Sequence, residues 1–179
     1  MAVWLRNVEN ETGEELPVTW RYFSLEQNNH SQVSEKKIWE NSTVKTRGIN
    51  AFRTAEAIRR QDNDLFKGFH ELLLHIFHRD HLDIADPDVL KDVAEKAGVD
   101  MNRFLIDSND PTILDRLAED HFHAVNDLKI FGTPTFVFNG NNPVFLKIEG
   151  SDTVNGYELF KEFIHIAENR KNILEIKRP

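Results

Sequence analysis

Gly132-Thr133-Pro134-Thr135-Phe136-Val137-Phe138-Asn139-Gly140 is the stretch at which the period of this chain changes. Before it, apolar residues recur at helical intervals; after Gly132 the period becomes two. Thr135–Phe138 reads as a strand, Asn139–Pro143 as a turn and Val144–Ile148 as a second strand, an antiparallel hairpin. A helix over about residues 153–170 follows, with Leu159, Phe160, Phe163, Ile164 and Ala167 inward. The tail from Ile173 to Pro179 reads as extended or irregular.

Upstream, the chain opens on a short helical pattern over residues 2–13, with Val3, Trp4 and Val8 on one face and Gly13 as its stop. Residues 17–25 alternate, Val18, Trp20 and Tyr22 against Thr19, Arg21 and Phe23, and their aromatic and β-branched content predicts a strand covered on both sides. Residues 26–47 are polar and poorly periodic, a long loop with one turn of helix around Ile38 and Trp39. Helices then dominate to residue 130. One spans 49–61 with Phe52, Ala55 and Ile58 on a stripe; the next spans 64–79 with Leu65, Phe69, Leu72, Leu73 and Ile76. Asp86-Pro87 and Asp110-Pro111 each offer an N-cap acceptor and a proline whose missing N–H costs nothing at the first helical position. The first of these helices stops at Gly98 and the second runs toward Leu128. A short helix over Met101–Ile106 lies between them, anchored by Phe104 and Leu105.

The composition narrows the function classes. A chain of 179 residues fits one domain with room for an inserted subdomain. A net charge of −8 argues against nucleic acid as the main partner, because phosphate binding needs a basic surface. No apolar run approaches the roughly 20 residues that span a bilayer, so no membrane partner is expected. The start lacks the basic n-region and long apolar run of a signal peptide. With no cysteine there is no disulfide, and a cytoplasmic location is the default.

The order of elements is helix, strand, helical block, Gly-Thr-Pro-Thr, hairpin, helix. Together with four segments, Thr19–Glu26, Pro87–Val99, Phe131–Phe138 and the terminal Glu175-Ile176-Lys177-Arg178-Pro179, it resembles the DsbA-like thioredoxin-fold family, in particular its FrnE-like and 2-hydroxychromene-2-carboxylate isomerase-like branch. The resemblance implies an α/β thioredoxin-like fold of DsbA type with a large inserted helical subdomain. Residues 1–25 and 130–172 would form the core, 26–47 a connecting loop, 48–129 the insert and 173–179 a tail. It also implies a cis peptide before Pro134, which leaves Thr133 free to pair with an extended peptide or thiol ligand. Gly132, Thr133 and Pro134 are thus the implied substrate-binding loop. Relatives carry a first strand and a Cys-Pro-x-Cys ahead of the helix that Ala2–Gly13 resembles; both are expected to have been lost from the start of this chain. A gap between Val18–Phe23 and Thr135–Phe138 would then leave a three-strand remnant prone to form a homo-oligomer through its open edges.

The resemblance implies a thiol–disulfide oxidoreductase, yet exchange needs a thiolate and the chain has none. No catalytic residue and no cofactor are therefore expected. One alternative is a non-catalytic protein that uses the proline loop to bind a peptide or a thiol-containing protein. Another is an enzyme like the isomerases or the kappa-class glutathione transferases. Ser24 reads as a cap at the exit of its strand, with no neighbouring base to activate it. His70, His75, His78 and His81 sit on or near one helix beside Glu71 and Asp80. Glu71 and His75 have i, i+4 spacing, but His75, His78 and His81 drift around the helix, so no metal site is expected. His121 and His123 read as solvated or capping residues, and Arg59, Arg60, Lys36 and Lys37 as solvated charges, with a patch of Arg53, Arg59 and Arg60 binding an anionic cofactor as the alternative.

Overall fold

The computed structural model describes residues 1–30, 38–40, 46–148 and 156–176. They divide into two compact units, Met1–Trp20 with Val125–Pro179, and Arg21–Ala124.

The first unit is built on aromatic packing. Helix α1 (Ala2–Thr12) ends at Gly13, whose φ of 70° suits a residue without a Cβ and whose N–H reaches Glu9 O at 2.8 Å. Strands β1 (Thr135–Phe138) and β2 (Asn142–Phe145) pair antiparallel, with Thr135 opposite Phe145 and Phe138 opposite Asn142. The turn between them places Asn139 and Gly140 at positive φ, 51° and 77°, the twist that a tight hairpin favours. Helix α8 (Gly156–Asn169) packs against α1 and β2. Trp4, Leu5, Val8, Phe163 and Ala167 form the buried centre, and Phe136, Phe138, Val144 and Leu146 cover it from one face of the hairpin. Phe163 meets Phe136 at 4.9 Å and Phe138 at 5.7 Å between ring centroids, and Trp4 donates from Nε1 to Gly156 O at 3.1 Å. The Asn139 and Asn142 amides tie the hairpin to Glu168 and to Ala167 O.

The second unit is helical: α2 (Leu25–His30), α3 (Ile49–Gln61), α4 (Asn63–His78), α5 (Pro87–Lys96), α6 (Met101–Asp107) and α7 (Thr112–Phe122). A π turn, His123–Asp127, continues from α7. Helix α3 packs against α4, α5, α6 and α7. Its Ala57 and Ile58, with Phe69, Leu90, Val93, Ile113 and Leu117, are buried. Carboxylates start these helices: Asp62, Asp86 and Asp100 each accept backbone N–H bonds as N-caps, and Asp110 accepts from Thr112 N at 2.9 Å.

Several expectations need correction, among them the second strand, which runs Asn142–Phe145 rather than Val144–Ile148, and Pro111, which takes the N-cap position of α7 rather than its first helical position. Residues 17–24 have no regular secondary structure, so the described sheet has two strands rather than three. The alternation is real but serves two cores: Trp20 packs on the aromatic centre of the first unit, whereas Tyr22 packs on Phe52 in the second. Part of the expected 26–47 loop is helix α2, which Ser24 starts by accepting from Gln27 N at 3.1 Å; Lys36 and Lys37 lie outside the described residues. Leu105 is exposed and only Phe104 anchors α6, while Phe66 joins the buried face of α4. Ile38 and Trp39 are buried, as a turn packed into the second unit.

The aromatic centre yields a direct expectation. Phe163→Ala should cost about 3–5 kcal/mol in urea denaturation, the usual toll of emptying a buried phenylalanine site. Leu174→Ala, in an exposed tail position, should stay within about 0.5 kcal/mol of the parent.

Candidate functional site

The Gly132-Thr133-Pro134 loop sits where the chain enters β1. The Thr133–Pro134 peptide is cis. Thr135 Oγ1 donates to Gly132 O at 2.7 Å and fixes the bend. Leu146 N donates to Pro134 O at 3.3 Å, so hydrogen bonding to β2 begins at Pro134. In an antiparallel pair the residues alternate between facing the partner strand and facing away. Pro134, Phe136 and Phe138 therefore turn their backbone groups toward β2, and Thr133, Thr135 and Val137 turn theirs to the outer edge. The sheet order is β1-β2, so among the described residues that edge has no neighbouring strand. Thr133 is exposed, and Phe131 beside it is 69% exposed, with its ring 5.2 Å from that of Phe145. Val137 and Phe145 are also exposed, on the hairpin face opposite the aromatic centre. The loop thus offers an unpaired edge flanked by apolar and aromatic side chains.

The other sequence candidates lie in the helical unit, and the structure brings together a different set from the one the sequence suggests. Arg59 is neither solvated nor part of an anion patch. Its guanidinium lies 4.0 Å from the Phe66 ring centroid and 4.9 Å from that of Tyr22, with Glu56 at 3.6 Å. Arg53 donates to Ser108 O, and Arg60 to Asp110 and Thr112, so all three arginines hold helices together. His70 stacks on Phe66, with centroids 5.7 Å apart. Burial, and then the Arg59 guanidinium, push its imidazole down to about 4. His75, His78 and His81 are exposed, and His78 and His81 border one open depression with Arg47, Phe77 and Leu82. Among the described residues no group of three or more histidine or carboxylate side chains is placed to hold a metal ion.

Two residues at the end of α7 were not legible as a pair. Asp120, 7% exposed, accepts from Tyr22 N at 3.3 Å, from Arg21 at 3.2 Å and from Arg116 at 3.0 Å. His121, 2% exposed, accepts at Nδ1 from Ser24 N at 3.2 Å, against the expectation of a solvated or capping histidine. Phe23, Trp39 and Phe122 surround its ring. The signal was present for His121, which continues the buried stripe of Ile113 and Leu117 at four-residue intervals. Asp120 carried no such signal, because a helical carboxylate is ordinarily solvated.

The family model of the DSBA-like thioredoxin domain matches residues 5–160. No curated protein matches the chain. Among the described residues no helix is long and apolar enough to cross a membrane.

The His70 environment fixes the sign of a pH effect. Its imidazole titrates near 6.5 when unfolded and near 4 when folded, so the native state resists a proton that the unfolded state accepts. The contribution to stability is complete above the unfolded value and is lost as pH falls from about 6.5 toward 4. Urea midpoints measured at about pH 7.5 and about pH 5 should therefore fall more for the parent than for His70→Gln. Equal falls would show that His70 does not resist protonation in the fold.

Proposed function

The chain belongs to the DSBA-like thioredoxin family, and from that premise we propose that it is a thioredoxin-like domain that binds extended peptides along Thr133, Thr135 and Val137 and performs no thiol–disulfide exchange itself. The family resemblance points to thiol–disulfide oxidoreductases, and within them to the FrnE-like branch. In such proteins the attacking group is a thiolate. These 179 residues contain no cysteine, so the polypeptide is redox-inactive, and the part of the family's equipment that remains is the proline loop. The helical unit is read as the subdomain inserted into the thioredoxin-like core.

The observation that carries the reading is the open outer edge of β1, which starts at Thr133. An extended chain can add there as a further strand, with backbone hydrogen bonds supplying affinity and side-chain contacts supplying selectivity. Phe131, Val137 and Phe145 favour apolar or aromatic peptide side chains at that edge. An open edge also favours pairing between copies, and self-association through β1 would compete with peptide.

Two measurements test this. Insulin reduction by the purified chain should not exceed a no-protein control; turnover above it would overturn the redox-inactive assignment. In titration calorimetry, a set of apolar, extended ten-residue peptides should contain binders, and exchanging cysteine for serine in them should leave affinity unchanged. Val137→Pro removes an outward N–H while sparing the bonds to β2. It should lower that affinity about tenfold, the worth of one or two backbone hydrogen bonds, with the helical circular dichroism unchanged. Affinity equal to that of the parent would exclude strand addition at this edge.

A further inference from the structure

The chain passes between the two units twice, at Trp20–Arg21 and at Ala124–Val125. The first crossing leads into a segment without regular structure, Arg21–Ser24, and the second lies in the π turn His123–Asp127. A π turn departs from ordinary α-helical geometry. Within the helical unit the segment Arg21–Ser24 is tied to the end of α7 by consecutive side chains: Asp120 accepts from Tyr22 N, and His121 Nδ1 accepts from Ser24 N.

We propose that Asp120 and His121 form an acid-released latch that holds Arg21–Ser24 against the end of α7, and that protonation of His121 frees this segment while the helical core remains folded. The chemistry is that of one nitrogen. Nδ1 accepts a hydrogen bond only while it is unprotonated. When it gains a proton it becomes a donor that faces the Ser24 N–H, so one bond is lost and two donors are opposed. The ring is enclosed by Phe23, Trp39 and Phe122, which cannot solvate a cation as water does. Burial accordingly holds the imidazole below its ordinary value.

The charged and titratable residues on the elements packed around His121, among those described, include Tyr22 in the clamped segment, Asp115 and Glu119 on α7, and Arg53, Glu56, Arg59 and Arg60 on α3, which packs on α7. Asp120 and exposed His123 are its chain neighbours, and Arg116 lies on the preceding turn of α7. Arg21 precedes the clamped amides, Glu26 lies on α2, and Glu40 follows Trp39. Asp120 is the nearest carboxylate in sequence, and it is engaged by Arg21, Arg116 and Tyr22 N. It holds the other half of the latch and ties Tyr22 and Ser24 into one segment that leaves as a unit.

Amide hydrogen exchange of the full chain, expressed as protection factors that remove the intrinsic pH dependence, tests the latch. Between about pH 7.5 and about pH 5.5 the Tyr22 and Ser24 amides should lose protection together by up to about tenfold, the ceiling for uptake of one proton by the released imidazole over that range. The Ala57 and Ile58 amides in the buried centre of α3 should change far less. Loss at all four amides in step, loss at Ser24 alone, or no loss would each overturn the proposal. His121→Asn keeps an oxygen acceptor near the Nδ1 position but cannot take up a proton. In this variant the Tyr22 and Ser24 protection should no longer depend on pH, and a persisting dependence would assign it to another group. If the variant does not fold, the comparison of the four amides in the parent decides.

Discussion

Every backbone N–H that leaves water must find an acceptor, and the way this chain meets that requirement organises both of its units. In the helical unit, Tyr22 and Ser24 lie in a segment without a strand partner. Their amides are satisfied by the side chains of Asp120 and His121. Arg21 and Arg116 then offset the charge of the buried Asp120 carboxylate. One helix end therefore does the work that a neighbouring strand would do in a sheet. In the first unit, among the described residues, the requirement is met on one side only: β2 satisfies the inward groups of β1, and the groups of Thr133, Thr135 and Val137 are left at an edge.

That edge is fixed in place by what lies behind it. The aromatic cluster of Trp4, Phe136, Phe138, Phe160 and Phe163 supports the inner face of the hairpin. Asn139 and Asn142 pin its turn to the end of α8. A binding edge on a rigid support loses less conformational freedom when a peptide adds to it. The same region exposes Phe131, Val137 and Phe145.

Much of the framework was legible because its signals are local. Helices α3 and α4 follow from apolar stripes, and α5 from its stripe and the Asp86-Pro87 pair at its start; the caps at Asp62 and Asp100 were not read from the sequence. The hairpin follows from the change to a two-residue period. The 17–25 segment misled because alternation reports only that successive side chains point to opposite sides. It does not say that Trp20 and Tyr22 enter separate cores, or that the partners of the intervening amides come from a helix nearly a hundred residues away in sequence. The arginines misled for a related reason. Arg59 carries a charge but spends it on the faces of Tyr22 and Phe66, and no spacing rule marks a cation that is packed between rings. Within the site, Gly132, Thr133 and Pro134 stood out from the loop motif, whereas the open edge behind them depends on the absence of a third strand from the described sheet, a fact of tertiary structure.

Which amides are paired decides both features, and amide hydrogen exchange in the free protein at neutral pH reads it most directly. Phe136 and Phe138, which face β2, should exchange slowly, and so should Tyr22 and Ser24. Thr135 and Val137, on the same strand but facing outward, should exchange faster by about tenfold or more, at rates close to those of an unprotected chain. Thr135 and Val137 protected as strongly as Phe136, in the monomer, would show that the edge is covered and would contradict the account.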